Sequence, residues 1–391
     1  MGLAYTEVKN ESWRNAMEIL VLETLPSHGE VIPSVVRAFD GILSTFSQKS
    51  KIDILVNSAL LEMGLAEIIN KPINADLQLF ALSPQLTLQS HISISSPDLI
   101  WINSASTNLL NELNIDEWSS DNLQKMNNVK SIFLVIHSSA YWENYLTAKS
   151  LLFSEFPNLS IVPVFLGEHV ASYFLSRHKR FCIDHLSDMF VFHANYDVQV
   201  NGKELIVGRK NPELPSICIQ GNITQKRRCL DIDYLGWLCS MGFHIKVVGR
   251  SLREDSAKII HHCHEKIGEE KISFYTRTGI GLRYCELFEV IKSSDYLLPS
   301  ISSIDYFSGK ITSTVNISQA TNIPIILAAN SPSNLDNFLG CVYGMPYVDY
   351  ELLKDSDSTY LLSIYQDLKM YKSLKQQANE RHLEKIISRF K

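Results

Sequence analysis

The sequence predicts an α/β protein built from two doubly wound, Rossmann-like domains that face each other across a cleft. Three observations carry this expectation. A strand-then-helix alternation occurs twice along the 391 residues. The strands are apolar along their whole length, the mark of a parallel sheet covered by helices on both faces. Residues 201–215 hold two Pro, two Gly and several charges, which places a break between the halves. A chain this long also exceeds one comfortable core. The expected domains are therefore 1–205 and 206–391.

In the first half, 18–25 reads as a short apolar strand followed by a helical pattern over 30–46. A second strand at 51–57 has a helical stretch at 60–69 behind it. Strands follow at 77–82, 98–104, 131–137 and 161–166, with helices near 116–126 and 141–153, and 189–193 closes this half. The second half is more regular. Strands at 216–220, 244–248, 272–275, 296–298 and 325–328 alternate with helices at 231–240, 251–267, 282–293 and 312–321. A long charged helix over about 358–390 ends the chain.

Composition excludes several classes. Hydrophobic residues make up 45% and charged residues 20%, a balance that argues against disorder. The net charge of −6 argues against nucleic acid or an anionic bilayer as main partner, leaving at most peripheral membrane contact. The longest apolar runs fall far short of the ~20 residues a membrane span needs. Residues 1–10 lack the basic-then-apolar pattern of a signal peptide. Seven cysteines with no C-x-x-C spacing read as free thiols. The expected location is the cytoplasm.

In open α/β sheets, ligands sit beyond the carboxyl ends of the strands. In the second half the relevant loops are 220–228, 249–251, 276–281, 299–301 and 308–314. Most of them carry a cation or a hydroxyl residue that opens a helix, the two features a diphosphate requires. Gly309-Lys310-Ile311-Thr312-Ser313-Thr314 stands out: a glycine, a lysine, then hydroxyls opening a helix. It also reads as a plain N-cap beside a solvated lysine. No P-loop is present, because Ile311 follows Lys310. The Gly279-Ile280-Gly281 pair lacks the third glycine of a dinucleotide fingerprint.

An ordered set of segments runs through 216–328. Cys218-Ile219-Gln220-Gly221-Asn222 is followed by Lys246-Val247-Val248-Gly249-Arg250 and then by Asp295-Tyr296-Leu297-Leu298-Pro299-Ser300. Lys310 to Thr314 then leads to Asn322-Ile323-Pro324-Ile325-Ile326. This order resembles the GT-B glycosyltransferases, two-domain enzymes that use nucleotide sugars. The resemblance implies a donor diphosphate near Gly221, Asn222, Arg227, Arg228, Arg250, Lys310, Thr312, Ser313 and Thr314. It implies base and ribose near Tyr275, Thr276, Arg277, Tyr284 and Glu286. Many retaining members carry a Glu-x7-Glu pair before the last strand; here Gly309 and Ile317 stand in those places.

The acceptor side falls to the first half. Glu23, Thr24, Ser27, His28, Gly29 and Glu30 follow its first strand, and His137, Ser138 and Ser139 follow a later one. A base beside an acceptor hydroxyl suits His or a carboxylate near neutral pH, so His28, His137 and Glu30 are the catalytic candidates. His28 and Glu30 also read as helix-start residues, and His137 as a bonded core histidine. Glu168-His169 is a weaker candidate of the same kind. His261, His262 and His264 point around a helix and cannot converge on one ion, and no metal is expected. Arg177-His178-Lys179-Arg180 reads as a solvated basic face. The expected activity moves a sugar from a UDP- or GDP-sugar to a glycan, lipid-linked or small-molecule hydroxyl, with no further cofactor. The alternatives are a non-catalytic scaffold subunit of the same fold and a sugar-nucleotide epimerase.

Overall fold

The computed structural model describes residues 16–138, 141–177, 189–198, 214–224, 230–251, 253–279, 281–299, 312–327, 345–355 and 358–390. Two all-parallel sheets organise them. The first contains β1 (Glu18–Glu23), β2 (Ser50–Val56), β3 (Ala75–Ala81), β4 (Leu99–Ile102), β5 (Ser131–Ile136), β6 (Ser160–Phe165) and β7 (Phe190–Val191). Its spatial order is β3-β2-β1-β4-β5-β6-β7. The second contains β8 (Ser216–Gln220), β9 (His244–Arg250), β10 (Ile272–Arg277), β11 (Tyr296–Leu297), β12 (Ile325–Leu327) and β13 (Tyr347–Asp349), ordered β10-β9-β8-β11-β12-β13. The strand order reverses beside β1 in one sheet and beside β8 in the other. A crevice opens at such a reversal, where the flanking connections leave to opposite faces.

The expected α/β class with two doubly wound sheets is what the chain adopts. Central strands are buried on both faces, as β1 shows: Val21 lies between Ile54 and Trp101, and Leu20 through Glu23 are all buried. One apolar cluster on the first sheet takes in the helix Ile32–Leu43; the opposite face is covered by the helix Trp142–Glu155, through Trp142, Tyr145 and Leu152. The expected boundary at 205/206 lies outside the described residues.

Several elements differ from the sequence expectation. The helical stretch at 60–69 is two short helices, Ser58–Glu62 and Leu65–Ile68, because Gly64 turns the backbone into the left-handed region at φ 82°. Helix Leu88–Ser95 was not expected; its sequence is mostly polar, and a capping box between Thr87 and Ser90 starts it. Helices Thr107–Glu112 and Glu168–Arg177, strand β13 and helix Tyr350–Asp355 were likewise not foreseen. These segments are short, and their burial comes from tertiary packing rather than a strong period.

The terminal helix Ser358–Ile387 joins both halves. Near its start, Tyr360, Leu361 and Ile364 pack on the second sheet's core, and the Asp349 N–H donates to the Tyr360 hydroxyl at 3.0 Å. Further along it lies on helix Ile32–Leu43, so closely that a Cβ on Gly41 would meet Glu380 at 2.8 Å. The Asn379 side-chain amide accepts from the His193 N–H at 2.9 Å and donates to the His193 carbonyl at 2.7 Å, and Lys372 pairs with Asp197 at 2.5 Å. Among the described residues, no helix is long and apolar enough to cross a membrane.

Candidate functional site

A cleft of about 340 Å³ lies where the carboxyl ends of β1, β8 and β9 face one another. The first half contributes Pro26, Ser27, His28, Glu30 and Met63. The second contributes Gln220, Gly221, Asn222, Gly249, Arg250, Ser313 and a largely apolar wall that includes Leu282, Tyr284, Phe288 and Ile317. Of the candidates, the structure thus brings His28, Glu30, Gly221, Asn222, Arg250, Tyr284 and Ser313 to one cavity. Arg250 is the only Lys or Arg among its described lining residues.

The wall from the second half is shaped by close backbone approach. The Gly221 N–H donates to the Val248 carbonyl at 2.8 Å, and the Ile223 N–H to the Arg250 carbonyl at 3.0 Å. A Cβ on Gly249 would stand 2.0 Å from the Gly221 carbonyl oxygen. Only glycine lets the two loops cross there. Helix Ser313–Thr321 points its amino end at the same place. Gln220, buried at the end of β8, holds that end by donating to Ser313 Oγ at 2.7 Å and to Thr314 Oγ1 at 3.3 Å. Thr312 caps the helix through the Thr314 N–H, so Thr312 and Thr314 serve the helix start and only Ser313 lines the cleft.

Other candidates lie elsewhere. Tyr275, Thr276 and Arg277 sit on the edge strand β10 and are not among the lining residues. Glu286 accepts from the Arg283 N–H at 2.8 Å, capping helix Tyr284–Lys292, and pairs with Arg277 at 3.3 Å. Arg227, Arg228 and Lys310 lie outside the described residues, as does Ser139.

Across the cleft, the wall from the first half rests on a buried polar set. Glu23, fully buried at the end of β1, accepts from the Leu25 N–H at 2.8 Å, the Ser104 hydroxyl at 2.6 Å and the Asn103 amide at 2.8 Å. Burial nonetheless raises its carboxyl to about 7, with the charge of Glu30 adding to the effect. The same Asn103 amide donates to the His28 carbonyl at 3.0 Å, and the Asn103 carbonyl accepts from His137 Nε2 at 2.6 Å. The rings of His28 and His137 stack with centres 3.9 Å apart. Burial, then the neighbouring His28, holds His137 neutral, well below the ordinary histidine range. His28 itself takes the left-handed conformation, φ 64°. His137 therefore lies behind His28, buried beneath the cleft surface.

The two walls also touch. The Tyr284 N–H donates to the Met63 carbonyl at 2.7 Å, Arg283 pairs with Glu67, and a Cβ on Gly29 would meet the Tyr284 hydroxyl at 2.6 Å. Burial, reinforced by Glu30, Tyr196 and Glu23, pushes the Tyr284 phenol well above its usual value. Sequence reasoning did not single out Asn103 or Met63. Asn103 carries a usable signal, a polar residue directly after an apolar strand; Met63 carries none. Among the described residues, no group of three or more His, Cys, Asp or Glu side chains is arranged to hold a metal ion.

No protein-family model and no curated protein matches the sequence. Solved structures match at the level of fold. HepE from Anabaena, solved in complex with UDP and glucose, superposes with a TM-score of 0.55 at 13% identity, covering 95% of this chain and 99% of that one. The lipopolysaccharide outer core galactosyltransferase WaaB gives 0.48 at 13% identity, with coverage of 96% and 100%. A UDP-N-acetylglucosamine 2-epimerase from Rickettsia bellii gives 0.47 at 10% identity, with 96% of both chains covered. The chain has the GT-B fold. At these identities the likeness concerns architecture alone.

Proposed function

We propose that this chain transfers a glycosyl group from a nucleoside-diphosphate sugar to a hydroxyl acceptor, with residues 206–391 holding the donor and 1–205 the acceptor. The carrying observation is one cleft in which Arg250 and the amino end of helix Ser313–Thr321 face His28 and Glu30. Helix-end amides and a guanidinium together match the charge and geometry of a diphosphate. The Gly221–Gly249 crossing lets backbone reach phosphate oxygens without a side chain intervening. UDP, the ligand of the HepE complex, and GDP are the donors to test first.

In this reading the acceptor oxygen attacks the anomeric carbon as the bond to the diphosphate breaks. The negative charge gathering on the departing diphosphate meets Arg250, the Ser313 hydroxyl and the helix amides. The acceptor proton passes to the His28 imidazole, with Glu30 as the second candidate base. His137, already bonded through Nε2 to the Asn103 carbonyl, supports the His28 ring rather than the proton transfer. The acceptor is a glycan, a lipid-linked sugar or a small molecule, and the reading requires no metal or further cofactor. Free thiols at Cys218, Cys239, Cys263 and Cys285 support a cytoplasmic location.

Calorimetric titration of UDP and GDP, followed by turnover assays with their sugars, tests the reading. Nucleotide binding that weakens in Arg250→Ala supports it; absence of binding to any common nucleotide overturns it. A second reading, a nucleotide-binding subunit without turnover, draws on Ile317, an apolar residue lining the cleft where the resemblance expects a carboxylate. Binding without transfer selects that reading. Conversion of donor in the absence of acceptor selects an epimerase.

A further inference from the structure

The acceptor-side wall contains a carboxylate for which the proposed transfer has no direct use. Glu23 is fully buried, one layer behind the cleft, and its three hydrogen-bond partners are all donors: the Leu25 N–H, the Asn103 amide and the Ser104 hydroxyl. An acceptor-only carboxylate is the group that satisfies all three. Each partner has a fixed orientation as a result. Asn103 in particular cannot reverse its amide, because its oxygen would then face both the Glu23 carboxylate and the His28 carbonyl.

We propose that Glu23 is a positioning residue for His28: its carboxylate orients the Asn103 side chain, which holds the His28 carbonyl, so that the His28 imidazole lies against His137, itself held by the Asn103 main-chain carbonyl, and faces the cleft. Two features of His28 need such a hold. Its φ of 64° lies in the left-handed region, uncommon for a residue with a side chain. Its ring stacks on a buried partner that is bonded to the Asn103 main-chain carbonyl at 2.6 Å. The hold on the His28 carbonyl passes through the Asn103 side chain, which Glu23 orients; the His137 ring is held by the Asn103 main-chain carbonyl.

The link makes the base sensitive to a second titration. With the Glu23 carboxyl at about 7, its protonation falls within the working range of an imidazole. The charge that acts on it is Glu30, on the turn after β1, and the Tyr284 phenol on the helix across the interface feels the Glu23 charge in turn. Tyr284 stays protonated, so Glu30 is the charge acting on Glu23, and His28 is linked to Glu23 through the Asn103 side chain.

The inference rests on the reading of His28 as the base, and its test separates the two. Ring carbons of the histidines in the full-length protein are followed by NMR from about pH 5.5 to 8.5, in wild type, Glu23→Gln and Ser104→Ala. The wild-type His28 trace is expected to show an added inflection near 7 that Glu23→Gln abolishes. Ser104→Ala removes one donor from the carboxylate and moves that inflection upward. In turnover assays Glu23→Gln lowers kcat about tenfold or more while donor KM changes less than about twofold, because the base loses its aim and the donor wall is untouched. Identical His28 traces in all three proteins, or altered traces with unchanged kcat, overturn the inference. The titration needs no substrate: if no form of the protein turns over a donor, the fault lies with the functional reading, and the traces still decide the link. Should Glu23→Gln fail to fold, the Ser104→Ala trace decides alone, an unmoved inflection counting against.

Discussion

Gly249 crosses Gly221 so closely that a Cβ on the first would lie 2.0 Å from the carbonyl oxygen of the second. That contact is backbone against side chain, with no flexible end to move aside. Gly249→Ala is therefore expected to cost more than about 3 kcal/mol, by parting the ends of β8 and β9. Urea denaturation checks the value, and a loss below about 1 kcal/mol would show that the loops separate freely.

Arg250 supplies positive charge to the cleft from the end of β9. Arg250→Ala is expected to weaken UDP or GDP binding by about 10- to 100-fold, the range of one charge-assisted contact to phosphate. Stability should change little, because the residue is exposed. Calorimetry at two salt concentrations reads both the loss and its screening.

Burial lifts the Glu23 carboxyl from 4.5 to about 7. Between those values the folded protein holds a proton that the unfolded chain has released, so this group's contribution to stability falls as pH rises. The full swing corresponds to ~3 kcal/mol. The stability of wild type minus that of Glu23→Gln should decline across this window and level off above it. A difference flat with pH contradicts the assignment.

His193 acts in the opposite sense. Burial behind the terminal helix, with the Lys375 charge nearby, lowers its imidazole to about 3. The unfolded chain takes up a proton near 6.5 while the folded chain does not, so stability drops as pH falls from 6.5 toward 3. His193→Gln should flatten this acid loss, as read from denaturant midpoints at a series of pH values. An unchanged acid slope would sink the prediction.

The contact between Gly29 and the Tyr284 hydroxyl makes a coupled pair across the interface. Gly29→Ala is expected to destabilise by ~1–3 kcal/mol through overpacking. Adding Tyr284→Phe removes the 2.6 Å obstacle and should restore part of that loss, although Leu60 remains 3.0 Å from the new methyl group. Strict additivity in the double-mutant cycle would argue against the contact.

The alternation of strands and helices was legible because β1, β5, β8 and their neighbours are apolar throughout, a pattern that polar loops interrupt sharply. The loops following those strands drew attention for the same topological reason, and Gly221, Arg250, Ser313 and His28 do share a cavity. Tyr275 and Arg277 show the limit of that reasoning. They lie in the carboxyl-terminal part of a strand as Arg250 does, yet β10 is an edge strand and its end lies one strand further from the reversal point. Strand order is a property of pairing, which a single sequence does not display. The hold of Asn103 on His28 was illegible for a similar reason: 75 residues separate them, and only the β1–β4 pairing makes them neighbours.

The terminal helix is seated on the second sheet at one end and riveted to the first by Asn379, Lys372 and the approach of Glu380 to Gly41. An apolar cluster runs unbroken from Val21 and Phe39 to Phe288, Ile317 and Leu383. Neither sheet can lose its packing without stripping cover from the other. Heating should accordingly melt both in a single cooperative step, and any rocking of one half against the other has to pivot about this rod.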